Sequence, residues 1–243
     1  MSDGGPDLKL RDREPGQAAA LAARLAATGR VQIPDLLEEA SAERLLAAAR
    51  GETAFQTVTL GGRGHVDLPA AWLEALTPAQ RMDMGRAAQE AATDRFHYLY
   101  DNYPVWDLNE AGRLSGVWKA WLDFVNGEAF LSAMRAITGE DRIAFADAQV
   151  TRYRRGHFLT AHDDGNEGKN RYYAFVLNLS PRWKIEWGGL LMFHGDDGHV
   201  SEALLPKYNS LSLLKVPALH SVSQVSLFAG DDRLAVTGWL RGA

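Results

Sequence analysis

Apolar residues first recur at helical spacing. Over 17–28, Ala and Leu repeat until Gly29 stops the pattern, and Val31-Gln32-Ile33 then reads as a short strand closed by Pro34. Ser41 stands where it would cap a helix through Ala49, and residues 54–60 alternate like a strand. Thr77-Pro78-Ala79-Gln80 joins a capping-box pair to a proline at the first helical position, which predicts a helix running towards Asp94. Between Ser115 and Ile137 an apolar face of Val117, Trp118, Trp121, Leu122, Phe130 and Met134 is interrupted near Gly127, so one or two helices are expected.

After Asp141 the period shortens. Apolar runs at about 143–154, 172–180, 189–194, 199–204, 210–216, 219–225 and 234–241 are separated by Gly, Asp, Asn and Pro, the texture of a sandwich or barrel. With no internal repeat and no low-complexity linker, the pattern predicts an α+β fold. A flexible N-terminus (1–15) precedes one domain (16–243), with helical support over 16–140 and a β core over about 141–241.

Composition narrows the chemistry. A content of 46% hydrophobic and 23% charged residues supports a sizeable core, and the net charge of -5 argues against a nucleic-acid partner. There is no cysteine, so any metal must be held by His and carboxylate. The start of the chain shows no basic and apolar leader pattern, and no stretch approaches the roughly 18 apolar residues of a membrane span. The expected setting is therefore cytoplasmic, without membrane contact; the sequence leaves the oligomeric state open.

Seven histidines occur, and the His-x-Asp pairs at His162 and His194 both fall in the half of the chain rich in short apolar runs. His194-Gly195-Asp196-Asp197-Gly198 has hairpin-turn chemistry and reads as a solvated turn. His162-Asp163-Asp164 instead ends a strand-like run from Val150 to Thr160, leaving room for several strands before His220. Two imidazoles and one carboxylate on one face of a metal leave positions open, as ferrous oxygenases require. Asp163, between the two ligand candidates, would point away if the segment is extended. The His-Glu-x-x-His helix of zinc hydrolases is missing. Arg233 opens a final strand after His220, where a guanidinium can clamp a carboxylate; Arg241 is the alternative clamp.

Tyr153, His162 with Asp164, Trp187-Gly188-Gly189, His220-Ser221-Val222, and Arg233 with Gly238-Trp239 occur in that order. On these five elements the chain, over about 143–241, resembles the iron(II)- and 2-oxoglutarate-dependent oxygenases, specifically the prolyl-hydroxylase-like branch. The resemblance implies a double-stranded β-helix, or jelly roll, of the cupin-like kind. It implies iron(II) on His162, Asp164 and His220, with Arg233 on the distal carboxylate of 2-oxoglutarate and Tyr153, Thr237 and Asn178 beside it. Dioxygen, with ascorbate as reductant, completes the cofactor set. The spacing from His220 to Arg233 is longer than the family's usual one, so 227–232 must form a longer turn. Asn178 falls where related enzymes often place a tyrosine.

The implied reaction is hydroxylation of an unactivated C–H bond with release of succinate and carbon dioxide. A prolyl residue of a protein or peptide is the leading substrate. A free amino acid or small metabolite is the enzymatic alternative, and an inactive jelly-roll binding or sensor module is the third reading. Substrate contacts are expected from Tyr100 and Tyr103 in the aromatic segment 95–106, from Arg171 and from Trp239; that aromatic segment serves either as a lid or as packing at the helix-to-barrel junction.

Overall fold

Helical punctuation acts where the sequence places it. In the computed structural model, which describes residues 7–51, 53–62, 64–166 and 168–243, α1 (Pro15–Thr28) ends at Gly29, whose φ of 69° lets its N–H reach the Leu25 carbonyl. Strand β1 (Arg30–Ile33) follows at once. Helix α2 (Glu39–Gly51) begins before Ser41, so Ser41 is not its cap; the Ser41 hydroxyl accepts the Lys9 N–H at 3.0 Å instead. Leu8 is buried and Leu10 bridges Leu37, so residues 8–10 pack against the domain, in contrast to the flexible terminus expected there. Backbone hydrogen bonds from Glu38 N–H to the Lys9 carbonyl and from Arg11 N–H to the Leu36 carbonyl join these two leucines in holding it.

A hairpin of β2 (Gln56–Gly61) and β3 (Gly64–Leu68) comes next; β3 escaped the sequence reading because its only apolar residues are Val66 and Leu68. Helix α3 (Ala70–Ala75) leads to α4 (Pro78–Ala91), where Thr77 and Gln80 form the expected capping box. The aromatic segment is a strand, β4 (Tyr98–Tyr103), followed by α5 (Val105–Glu110). The apolar face beyond it folds as two helices, α6 (Gly116–Val125) and α7 (Glu128–Thr138), divided at Asn126-Gly127.

The β core then runs through β5 (Phe145–Ala146), β6 (Gln149–Tyr153), β7 (Phe158–His162), β8 (Arg171–Asn178), β9 (Leu191–His194), β10 (Val200–Leu204), β11 (Ser210–Lys215), β12 (His220–Val222) and β13 (Arg233–Arg241). Strand order is β1-β11-β8-β13-β6-β4-β7-β12-β9-β10, with β2 and β3 beyond β4, all antiparallel: a nearly closed jelly roll. The expected run Val150 to Thr160 is interrupted. Both β6 and β7 pair with β4, Arg152 opposite Asp101 and Phe158 opposite Leu99, while 154–157 bulge out through Gly156 at φ 83°. That bulge carries one run from the β13 side of the barrel to the β12 side.

Helices α1, α2, α6 and α7 cover the outer face of β8, β11 and β13. Trp121 and Phe130 are fully buried in one cluster with Phe175, Leu177, Leu213 and Val236. Each such side chain contributes about 1.5–3 kcal/mol by burial, which makes this layer the rigid wall of the barrel. Among the described residues no helix is long and apolar enough to cross a membrane.

The bulge also buries His157, which is 6% exposed. Burial, with the Arg154 and Arg152 charges partly offset by Asp101, lowers its imidazole to about 4 from an ordinary value of 6.5. The unfolded chain therefore takes up this proton near 6.5 while the folded chain resists it until about 4. Stability should fall as pH drops through that window, by up to about 3 kcal/mol. Urea denaturation at a series of pH values checks this; His157→Gln should flatten that part of the profile, and an unchanged slope would refute it.

Candidate metal centre and its cavity

Register creates the site. His162, the last residue of β7, lies opposite His220, the first of β12, and their rings sit 4.2 Å apart between centroids. Immediately after β7 the chain turns: Asp164 adopts φ 61°, an uncommon left-handed conformation for a non-glycine residue, and its carboxylate comes back to the pair. Its oxygens lie 3.6 Å from His162 Nε2 and 3.5 Å from His220 Nε2. Asp163 is exposed and accepts the Gly165 N–H, so it does point away.

The tautomers follow from the partners. His162 Nδ1 lies 3.0 Å from the Thr160 carbonyl and His220 Nδ1 lies 2.7 Å from the Ala218 carbonyl. A carbonyl only accepts, so each Nδ1 carries the hydrogen and each Nε2 keeps its lone pair for the centre. Burial, then the neighbouring His162, pushes the His220 imidazole below its ordinary range, favouring the neutral form that ligates metal. Ligand atoms from His162, Asp164 and His220 all lie within 4.8 Å of one another. This donor set fits a divalent ion with open coordination positions.

These residues open into a cavity of about 240 Å³. Arg233 lines its other side, only 2% exposed, opposite Tyr153 in the β13–β6 register and with its guanidinium 5.1 Å from that ring's centroid. Its Nε has no hydrogen-bond partner, and no carboxylate pairs with it among the described residues. Burial pushes Arg233 down from the ordinary arginine range, yet a guanidinium stays charged, so the cavity holds a buried cation without its anion. Tyr100 stacks on Tyr153 at 5.1 Å, and burial raises both phenols, keeping them neutral donors. Thr237, Gln149 and Thr151 complete the wall on β13 and β6.

Glycines let this wall close. A Cβ on Gly238 would stand 2.0 Å from the Asp147 carbonyl oxygen, and one on Gly189 would press on the Arg233 side chain at 3.0 Å. Trp187 packs on Gly230, and Trp183 donates to the Gly188 carbonyl at 2.9 Å. The long connection from His220 to Arg233 is the expected extended turn, with Leu227 and Phe228 exposed at its tip.

Arg171 lies at the mouth, 3.6 Å over the Trp239 ring and donating to the Asp164 carbonyl at 3.2 Å. Two expectations fail. Asn178 does not line the cavity; its amide donates to the Ser210 carbonyl and hydroxyl at 3.2 and 3.3 Å. Tyr103 also lies away from it, because alternation along β4 turns Tyr98 and Tyr100 inward and Tyr103 onto the helix-packed core. Arg241, the alternative clamp, is committed to Asp147 at 3.2 Å. Residues 195–198 form the turn between β9 and β10, as their composition implies, but His194 ends β9, half-buried, with Nε2 2.8 Å from the Ser221 hydroxyl, so it is not part of a solvated turn. Gln149, Thr151 and Phe96 were missed; the first two were findable by stepping back in twos from Tyr153.

A jelly roll carrying two histidines and one carboxylate at its open end defines a class, the mononuclear-metal double-stranded β-helix proteins. Residues 148–241 match the family model described as the 2OG-Fe(II) oxygenase superfamily, over the same stretch in which the sequence resembles the prolyl-hydroxylase-like branch. The chain is 35% identical over 122 residues to prolyl 3-hydroxylase OGFOD1 of Xenopus laevis and 32% identical to that of Mus musculus. Each alignment covers 47% of this chain but only 23% and 22% of those relatives, so the chain spans about a quarter of their length. Its fold is similar to that of a Pseudomonas putida prolyl-4-hydroxylase, with a TM-score of 0.58 at 20% identity over 93% of this chain and 99% of that one. A Trichoplax adhaerens prolyl hydroxylase, solved with a hypoxia inducible factor peptide fragment, gives a TM-score of 0.59 at 14% identity over 95% and 94%.

Cobalt(II), followed through its visible absorption, should bind this site with His162→Ala or His220→Ala losing more than the roughly 10–100-fold that removal of an outer partner costs. Undiminished binding in either variant would place the metal elsewhere.

Proposed function

We propose that this protein is an iron(II)- and 2-oxoglutarate-dependent dioxygenase that hydroxylates a prolyl residue of a protein or peptide. The observation that carries the reading is the buried, anion-less Arg233 sharing one small cavity with the His162, Asp164 and His220 lone pairs. A dicarboxylate is the ligand this pairing asks for: one end supplies donors at the metal and the other neutralises a guanidinium that costs free energy alone.

In this reading His162, Asp164 and His220 hold the iron, and bound iron with 2-oxoglutarate and dioxygen supplies oxidative decarboxylation to succinate and carbon dioxide coupled to C–H hydroxylation. The protein's own residues orient and enclose. Arg233 receives the distal carboxylate, Tyr153 and Thr237 offer it hydroxyls, and Leu191, Leu214 and Val222 exclude water from the interior. Phe96, 5.7 Å from His162, with Tyr100, Arg171 and Trp239, borders the side from which a substrate would approach. Support for a prolyl substrate comes from the named activities of the relatives. Without cysteines, the fold needs no oxidising compartment, in keeping with the cytoplasmic setting proposed for it.

Anaerobic addition of iron(II) and 2-oxoglutarate should produce a visible metal-to-ligand charge-transfer band, lost in His162→Ala. Arg233→Met should retain metal but bind 2-oxoglutarate about 30-fold or more weakly; equal affinity would remove Arg233 from the role. Succinate release should rise with prolyl peptides over free proline, and the reverse ranking would move the substrate to a small metabolite.

A further inference from the structure

The strands that wall the metal cavity have a second face. Along β4, β6 and the bulge, Tyr98, Tyr100 and Tyr153 look inward, whereas Leu99, Asp101, Arg152, Arg154 and Arg155 line a separate groove of about 610 Å³ roofed by α3 and α4. Five arginines line this groove, Arg81 and Arg86 from α4 with Arg152, Arg154 and Arg155, against two carboxylates, Glu74 and Asp101. Asp101 is shared, 2.8 Å from Arg152 and 2.9 Å from Arg154, and it also accepts the Thr57 hydroxyl. Asp232 acts on both of these arginines from nearby. Arg86 has an exposed partner in Asp83 at 3.5 Å. Arg81 donates to the Leu76 carbonyl and Arg155 to that of Ala229; neither has a carboxylate partner among the described residues. In a chain of net charge -5 this is a local reversal of sign.

Two further features say what kind of anion fits. His157 lines the groove, hydrogen-bonded to the Arg152 backbone carbonyl, with its Nδ1 buried and unpartnered. Around the arginines stand apolar side chains, among them Met82, 67% exposed, and Leu227, 75% exposed. Gln89 joins the groove to a neighbouring depression over β7 and β12, lengthening the surface beyond what a small ion needs. We propose that this groove binds an acidic segment of a partner protein that carries aliphatic side chains between its carboxylates. Charge complementarity supplies attraction and the Met82 and Leu227 rim supplies buried apolar area. Nucleic acid fits less well, because the lining offers Phe55 as its one Phe, Tyr or Trp ring for bases to stack on, with exposed aliphatic side chains in their place. The inference stands apart from the oxygenase reading, since it uses none of the cavity residues.

The probe is a fluorescein-labelled peptide of Glu-Glu-Leu repeats, followed by fluorescence anisotropy on the full chain, with Lys-Lys-Leu repeats and a labelled oligodeoxythymidine beside it. Binding should be selective for the acidic peptide and weaken between about 50 and 300 mM salt. Arg86→Glu and Leu227→Asp, both at exposed positions and checked for an unchanged melting curve, should each reduce affinity by about fivefold or more. His162→Ala should bind like wild type, which separates this surface from the metal cavity. The proposal is overturned by no salt-sensitive binding, by binding that survives both groove substitutions, by loss in His162→Ala, or by tighter capture of the oligonucleotide.

Discussion

His162 and His220 face each other because β7 and β12 pair antiparallel with those two residues in register, and nearly everything else in the site is arranged around that pairing. Side chains directly opposite in such a ladder stand close enough to share one ion. Each backbone supplies the carbonyl that holds its own imidazole, Thr160 for one and Ala218 for the other, so strand geometry also sets the tautomers. A one-residue slip would turn one ring to the opposite face and dissolve the cluster. Asp164 can join only because the chain leaves the ladder in a left-handed turn, tied down by Arg171 through its carbonyl.

The second organising cost is Arg233. A buried guanidinium without a carboxylate destabilises the protein unless a ligand completes it. The surroundings are shaped to keep it there: Gly189 leaves space for its side chain, Tyr153 offers a ring face, and β13 is clamped between β6 and β8. Gly238 lets β13 approach the Asp147 backbone where any side chain would collide. The Trp-Gly-Gly and Gly-Trp segments thus follow from close approach of backbone to side chain.

Alternation makes the wall of this site two-sided. The tyrosines of β4 and β6 face the metal cavity, while Asp101 and Arg152 on the same strands, with Arg154 just beyond β6, face the groove under α4. The bulge at 154–157 links the two, following directly on Tyr153 at the cavity and burying His157 on the other side. Inner and outer surfaces therefore share a rigid scaffold yet remain chemically separate, one enclosing an unpaired cation beside a metal site and the other presenting several arginines to solvent.

Much of this was legible in the linear chain. Hydrophobic period separated the helical half from the β half, Thr77 and Gln80 marked a helix start, Gly29 and Gly127 marked breaks, and His162, Asp164, His220 and Arg233 identified themselves by type, order and local texture. Those signals are local, or rest on a spacing that the fold merely preserves. What the chain alone left undecided was which face of a strand each neighbour occupies after a bulge and whose hydrogen bonds a polar group meets. Tyr103 and Asn178 had plausible chemistry but were carried away, the first by alternation on β4 and the second by an amide bonded to Ser210 across the β8–β11 pair. The short β3 has only Val66 and Leu68 as apolar residues, too few to announce a strand, and it is ordered by its pairing with β2. Residue type and pattern determined the donor set and the architecture; strand pairing between segments far apart in sequence decided which donors meet, because only the assembled sheet fixes register and face.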